Sequence, residues 1–244
     1  MRLLNEDDII VFPENEILPH EQIVSEYHVT KSRLEVMQKS LFKSGVKVVL
    51  TTGTALMRKL LPVDFFKKNT ISLKIEQQLD YTKFTDIVTK IGYERVDMVE
   101  EPQQYSIRGG IIDIFPLTSD SPYRIELFGD EIDSIRIFDR ATQRSLDNIE
   151  KIYLPPANEI VIVPEKVNEK LPIIKNDFDH AIKRLEKIDC KDEAEYLLDK
   201  KNEVLEKLQE FNNFPGCQQF LPYFFDELST LFDYIKNDSV IIFD

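Results

Sequence analysis

The stretch Tyr105–Leu146 reads YSIRGGIIDIFPLTSDSPYRIELFGDEIDSIRIFDRATQRSL, and it decides the architecture of the middle of the chain. β-Branched and aromatic residues alternate with charge, and the runs are cut at Gly109-Gly110, Ser121-Pro122 and Gly129-Asp130. Alternation of period two between Gly and Pro turn signals predicts a small antiparallel sheet. Single arginines, Arg108, Arg124 and Arg136, stand at its solvent-side positions among carboxylates. No nucleophile, metal-ligand cluster or phosphate loop accompanies them. The block has the composition of a recognition surface rather than a reaction centre.

Upstream, Ile71–Ile75 alternates as a strand, and Asp80 caps a helix running to about Ile91, with Phe84, Ile87, Val88 and Ile91 at helical spacing. Gly92 ends that helix as a C-terminal glycine. With the sheet, residues 76–150 form an α+β unit. Further upstream, Asp8–Phe12 and Val46–Thr51 read as buried parallel strands. A helical pattern opens at Thr30-Lys31-Ser32-Arg33 between them, with Leu34, Met37, Leu41 and Phe42 on one face, so strand, helix and strand make a βαβ unit. Thr54–Leu61 reads as a further helix with Leu56, Leu60 and Leu61 inward, stopped by Pro62.

Downstream, Pro155, Pro156, Pro164 and Pro172 mark a loop-rich connection. A long charged helix follows from about Asp177 to Phe211, with Phe178, Ile182, Leu185, Ile188, Leu197, Leu198, Leu205 and Leu208 inward. Pro215-Gly216 breaks it, and Leu221–Tyr234 is an aromatic-rich mixture of loop and helix. Ser239–Asp244 is again a buried-strand pattern, and its abrupt stop on Asp244 is expected where a larger protein has been cut.

A chain of 244 residues favours two compact units, and 42% hydrophobic with 31% charged residues describes a soluble globular protein. The net charge of −13 argues against a large non-specific nucleic-acid surface, which needs clustered Lys and Arg. Cys190 and Cys217 have no second ligand at metal spacing and read as reduced thiols. The start, Met1 to Asp8, turns acidic before any apolar region forms, and no apolar run is long enough to span a bilayer. A cytoplasmic monomer is expected.

Candidate chemistry is sparse. Val240-Ile241-Ile242-Phe243-Asp244 resembles the strand that ends in the Mg²⁺-holding Asp of nucleotide-driven motors, but no G-x-x-x-x-G-K-[ST] accompanies it. Gly53, in T-T-G-T, lacks a following Lys. A plain core strand in a degenerate motor-like fold is the expected reading. Asp130, Glu131 and Asp133 fit a solvated hairpin tip better than a metal or acid/base site. His20, His28 and His180 have no catalytic or ligand spacing.

Arg108 precedes Gly109-Gly110, Arg124 follows Pro122-Tyr123, and Phe128 precedes Gly129-Asp130. If the sheet buries the face bearing Ile125 and Leu127, Arg124 and Glu126 project on the other, with Phe128 at the rim. An arginine pair beside an exposed aromatic is the composition of a protein-interface hot spot. Alternatively the arginines pair with Glu126 and Asp133 across the sheet while Phe128 packs inside.

The runs Gly92–Asp97, Ser106–Pro116, Arg124–Arg136, Phe138-Asp139 and Gln143–Ser145 resemble the N-terminal, UvrB-homologous module of the bacterial transcription-repair coupling factor (Mfd) family, with looser similarity at Val11–Pro13, Leu18-Pro19 and Leu228–Asp244. The resemblance implies a P-loop-motor-like but inactive α/β domain, with an inserted α+β domain that docks the damage-recognition ATPase UvrA, and a helical lobe. Residues 1–75 with 236–244 would form the α/β domain, 76–150 the UvrA-binding domain and 151–235 the lobe.

The family's UvrA-contacting positions fall on Arg108, Arg124 and Phe128, with Arg95 added by similarity to UvrB. The segment from Pro13 to Thr30 is too short for the DNA-clamping hairpin of UvrB-like proteins, and Ser106 stands where UvrB bears an arginine. Both favour the coupling factor.

The implied function is a non-catalytic interaction module recruiting UvrA to stalled RNA polymerase. No cofactor is implied in this chain. ATP and Mg²⁺, like contacts to RNA polymerase and double-stranded DNA, belong to domains outside it. The alternatives are a fragment of a UvrB-like ATP-dependent damage-verification enzyme and an unrelated acidic scaffold.

Overall fold

The computed structural model describes residues 8–14, 23–42, 48–162, 164–210, 217–236 and 239–242. The chain divides into two compact units, Met1–Glu159 with Ser229–Asp244, and Ile160–Leu228.

In the first unit, β1 (Ile9–Phe12) pairs in parallel with β2 (Val48–Thr51) across α1 (Ile23–Phe42), as the βαβ pattern predicts. The pair is buried on one side only: Ile10 and Phe12 face the core, while Ile9, Val11 and Leu50 are exposed. Helix α1 is already established at Ile23, so Thr30 and Arg33 are buried mid-helix residues rather than a helix start. Arg33 lies 4.2 Å over the Phe12 ring and donates to Glu159 at 2.7 Å, an ion pair closed across 126 positions of chain.

The helix expected at Thr54–Leu61 is two. Helix α2 (Gly53–Met57) is capped by the Thr52 hydroxyl, and α3 (Val63–Lys68) starts directly after Pro62. A proline that stops one helix is also well placed to open the next, because its fixed φ suits a helix start and it has no N–H to leave unpaired there. Helix α8 (Leu231–Tyr234) returns to this region, with the Tyr234 hydroxyl donating to the Leu61 carbonyl at 2.8 Å.

β3 (Ile71–Lys74) pairs antiparallel with β10 (Lys151–Leu154), so the chain enters and leaves the next block through adjacent strands. Within that block α4 (Tyr81–Lys90) is capped by the Asp80 carboxylate. Its end closes with Gly92 at φ +98, Gly92 N–H bonded to Thr89 and Tyr93 N–H to Val88, the Schellman arrangement that needs a left-handed residue. Phe84, Val88 and Ile91 of α4 are buried and Ile87 is exposed. Each buried side chain contributes about 1.5–3 kcal/mol relative to exposure.

The sheet under α4 has the order β4 (Glu94–Arg95), β5 (Gln104–Arg108), β6 (Ile111–Ile114), β7 (Tyr123–Phe128), β8 (Glu131–Phe138) and β9 (Ser145–Asn148). Its β5–β8 pairings are antiparallel. Tyr105, Ile112, Ile114, Ile125, Ile132 and Ile135 share one core with α4. Ile132 and Ile135 are three residues apart, which strict alternation would send to opposite faces. A bulge, with Glu126 opposite Ser134 but Leu127 opposite Ile132, absorbs the extra residue and keeps both inward.

In the second unit, α5 (Pro164–Lys187) and α6 (Lys191–Gln209) form a helical hairpin, linked by Lys201 to Asp179 at 2.9 Å. One continuous helix from Asp177 is therefore corrected at its start and in its middle. Pro164 opens α5 and Pro172 lies within it, so neither breaks it. The break comes at Asp189, in the left-handed region at φ +58. Cys190 N–H bonds the Leu185 carbonyl and Asp189 N–H that of Glu186, a second Schellman closure. Ile188 and Leu198, expected inward, are exposed. A 3₁₀ turn (Cys217–Phe220) leads into α7 (Leu221–Phe224).

Residues 239–242 form no strand, and Val240 and Ile242 are exposed, which corrects the expected buried strand there. Phe243 and Asp244 lie outside the described residues, as do His20 and Pro215-Gly216.

Candidate protein-binding surface

The β5–β8 sheet has a second face, opposite α4. Register places Ser106, Asp113, Arg124 and Arg136 in one row across four strands. Alternation then puts Arg108, Ile111 and Glu126 on the same face two residues nearer the hairpin tips, and Phe128 four residues beyond Arg124. At the other end of this face Val99, Phe115 and Phe138 form a small core of their own.

Both hairpins that carry this face turn in two residues. Gly109 has φ +59 and Gly129 φ +62. Positive φ at the first turn position suits the tight hairpin connections whose twist matches that of the strands. Gly110 is favoured for a different reason: an ideal Cβ there would make a tight 3.0 Å contact with the Leu127 carbonyl oxygen. Leu127 N–H in turn donates to the Gly110 carbonyl at 2.8 Å, holding the two hairpins together. Leu79 N–H bonds the Asp130 carbonyl at 2.7 Å and steadies the second tip.

The rigid tips present Phe128 to solvent at 84% exposure, with Ile111 also exposed. An aromatic ring left so bare at the end of a well-bonded strand gains nothing from the fold. The alternative in which Phe128 packs inside is overturned.

The arginines divide. Arg124 keeps only 14% of its side chain exposed. Its Nε and Nη2 donate to Asp113 Oδ1 and Oδ2 at 2.7 and 2.8 Å, and Nη1 donates to the Gln143 carbonyl at 3.0 Å. Its guanidinium also covers the buried Phe138 ring. The hydrogen bond to Asp113 raises the Arg124 pKa above its ordinary value. Arg124 thus belongs to an internal ion pair and does not project freely, as the open-surface reading expected. Arg108 is 52% exposed and donates from Nη2 to the same Asp113 Oδ2 at 2.8 Å. Only Arg136 makes the expected pair with Glu126, at 3.3 Å.

Arg95 is exposed in β4, but its register partner is Tyr105, whose side chain belongs to the α4 core. That places it on the opposite side of the sheet from Arg108. The structure therefore brings together Arg108, Arg124 and Phe128 and leaves Arg95 apart.

Asp113, Gln143 and Phe138 were not singled out by sequence. For Asp113 the signal existed: a lone acid within Ile111-Ile112-Asp113-Ile114 must find cationic partners or stay out of the sheet. Among the described residues no group of His, Cys, Asp and Glu could hold a metal ion, and no helix is long and apolar enough to cross a membrane.

The sheet thus packs a helix on one face and shows a bare aromatic and a half-anchored arginine on the other. Residues 71–160 match the UvrB interaction domain family. Over 99% of its length the chain is 32% identical to the transcription-repair-coupling factor of Bacillus subtilis (strain 168), covering 20% of that protein. It is 29% identical to those of Staphylococcus epidermidis and Haemophilus influenzae, over 100% and 98% of its length and 20% and 19% of theirs. Over nearly its whole length the chain is thus similar to transcription-repair-coupling factors, and it spans about a fifth of the length of these relatives.

Proposed function

We propose that the chain is a non-catalytic docking module that captures UvrA and, within a longer coupling factor, recruits it to stalled RNA polymerase. The observation that carries this reading is Phe128, exposed at a hairpin tip on the same sheet face as Arg108. Aromatic anchors with adjacent arginines dominate the energetics of protein interfaces. The complementary surface would be an apolar socket for the ring with an acidic group beside it for the guanidinium.

In this reading the β1–α1–β2 unit belongs to a motor-like α/β domain (1–75 with 236–244), with the docking domain (76–150) inserted in it and a helical lobe (151–235) following. ATP-driven translocation and contacts with DNA or polymerase belong to the remaining four-fifths of the relatives' length.

Titration of the purified chain with UvrA tests the proposal. F128A and R108A should each lose most of the binding with unchanged thermal unfolding. Wild-type affinity in both variants overturns it.

A further inference from the structure

Two cations share one buried anion beneath this surface. Asp113 is 1% exposed, so it cannot itself touch a partner. Arg124 grips both of its oxygens, at 2.7 and 2.8 Å, and Arg108 bonds Oδ2 from the other side at 2.8 Å. We infer that Asp113 is a positioning residue of the docking surface: its carboxylate, oriented by Arg124, anchors the Arg108 guanidinium on the sheet face that carries Phe128. This inference rests on the docking reading above.

Three features of the trio support it. The first is geometric. A two-point grip from Arg124 fixes the plane of the carboxylate, since parallel N–H···O bonds allow little rotation. The lone pair left on Oδ2 then fixes where Arg108 Nη2 must sit. The second is conformational. Arg108 is the last residue of β5, on a long side chain that would otherwise sample many rotamers. One bond to a buried acceptor restricts it in advance, and ordering done before contact is not charged against affinity.

The third feature is charge. Arg124 and Asp113 cancel each other, so the trio retains one net positive charge, and it resides on the exposed member. Among the described residues the remaining N–H groups of Arg108 have no acceptor. They are left for a partner's carboxylate. Had Asp113 faced Arg108 alone, the cation would have been neutralised before any partner arrived.

Positioning and bulk electrostatics make opposite predictions, which gives the test its readout. D113N makes the surface more positive by one charge. If only net attraction mattered, an acidic partner would bind D113N as tightly as wild type or more so at low salt. If Asp113 positions Arg108, D113N binds more weakly at every salt concentration.

The experiment is a double-mutant cycle on the whole chain, with UvrA affinity measured for wild type, R108A, D113N and R108A/D113N alongside thermal unfolding. R108A should weaken binding about thirtyfold and D113N about tenfold. The double variant should be no weaker than R108A, because Asp113 acts through the side chain already removed.

D113N leaves Arg124 partly buried without its counterion and can unfold the domain. D113L/R124M, which replaces the ion pair with apolar side chains, removes the anchor without stranding a charge. It should fold and show the weakening expected for D113N. Weakened R108A together with wild-type affinity in either D113N or D113L/R124M overturns the positioning role and leaves the docking reading intact. Multiplying losses in the cycle do the same. Wild-type affinity in R108A removes the positioning role, and wild-type affinity in F128A as well removes the docking reading too.

Discussion

The Arg124 guanidinium lies 4.5 Å over the ring of Phe138, which is fully buried in the small core on the outer face of the sheet. Its polar edge meanwhile holds Asp113. One side chain thus seals an apolar cluster and neutralises a buried acid. Removing it exposes both faults: R124M should cost about 3 kcal/mol, because the buried carboxylate loses its two-point partner and keeps only the half-exposed Arg108. D113L/R124M should recover most of that loss. Urea unfolding of the three proteins checks this, and an R124M midpoint equal to wild type would contradict it.

Phe128 makes the opposite prediction. With its ring in solvent, F128A should change unfolding free energy by no more than about 0.5 kcal/mol. The same variant should fail to retain UvrA in a pull-down. A marked drop in thermal midpoint would show that the ring belongs to the fold.

A methyl group at Gly110 would be tightly placed. The nearest atom is the Leu127 carbonyl oxygen at 3.0 Å, and the Leu127 N–H is bonded back to Gly110. Backbone facing backbone cannot yield as a flexible side chain would. G110A should cost on the order of 1 kcal/mol, because at this exposed turn the contact can be relieved only by a small backbone shift. Denaturant titration would read the loss.

At Asp189 the direction reverses. The residue holds φ +58 in the Schellman closure of α5, where a Cβ is unfavourable. D189G should stabilise the helical hairpin by about 0.5–1 kcal/mol, visible as a higher thermal midpoint. A lower midpoint would show that the aspartate side chain has a favourable role there.

Glu203 accepts from Lys200 at 2.7 Å and Lys207 at 2.6 Å on α6, bonds that pull its carboxyl from the ordinary 4.5 down to about 2. A depressed folded pKa stabilises above the unfolded value and loses that contribution as pH falls through the folded one. Wild type should therefore exceed E203Q in stability at neutral pH, with the gap closing as pH falls from about 4.5 to about 2. Solvent keeps the gap small. Denaturant titrations across that window should show the two curves converging, and a gap that widens toward acid would refute the assignment.

Elements announced by local chemistry were legible in sequence. Asp80 and Gly92 bracket α4 because capping and left-handed closure each need a particular residue type. Gly109-Gly110 and Gly129-Asp130 mark the hairpin turns for the same reason.

The helical hairpin was misread where residues have two meanings. Pro164 reads as a breaker but opens α5, and Asp189 reads as one more charged helix residue although aspartate tolerates the left-handed region better than most. Long-range pairs were invisible: nothing local joins Arg33 to Glu159. Local pattern placed Arg124 on the correct face, but its burial depended on the loop that brings the Gln143 carbonyl over it.

The pairing of β3 with β10 sets Ile71 directly against Leu154. Across an antiparallel pair such positions lie about 5 Å apart, so the block between them starts and finishes at one doorstep. A piece of chain with neighbouring ends is a cassette. It can be transplanted into an unrelated scaffold, or lost from its own, without a long tether and without pulling the host's strands out of line.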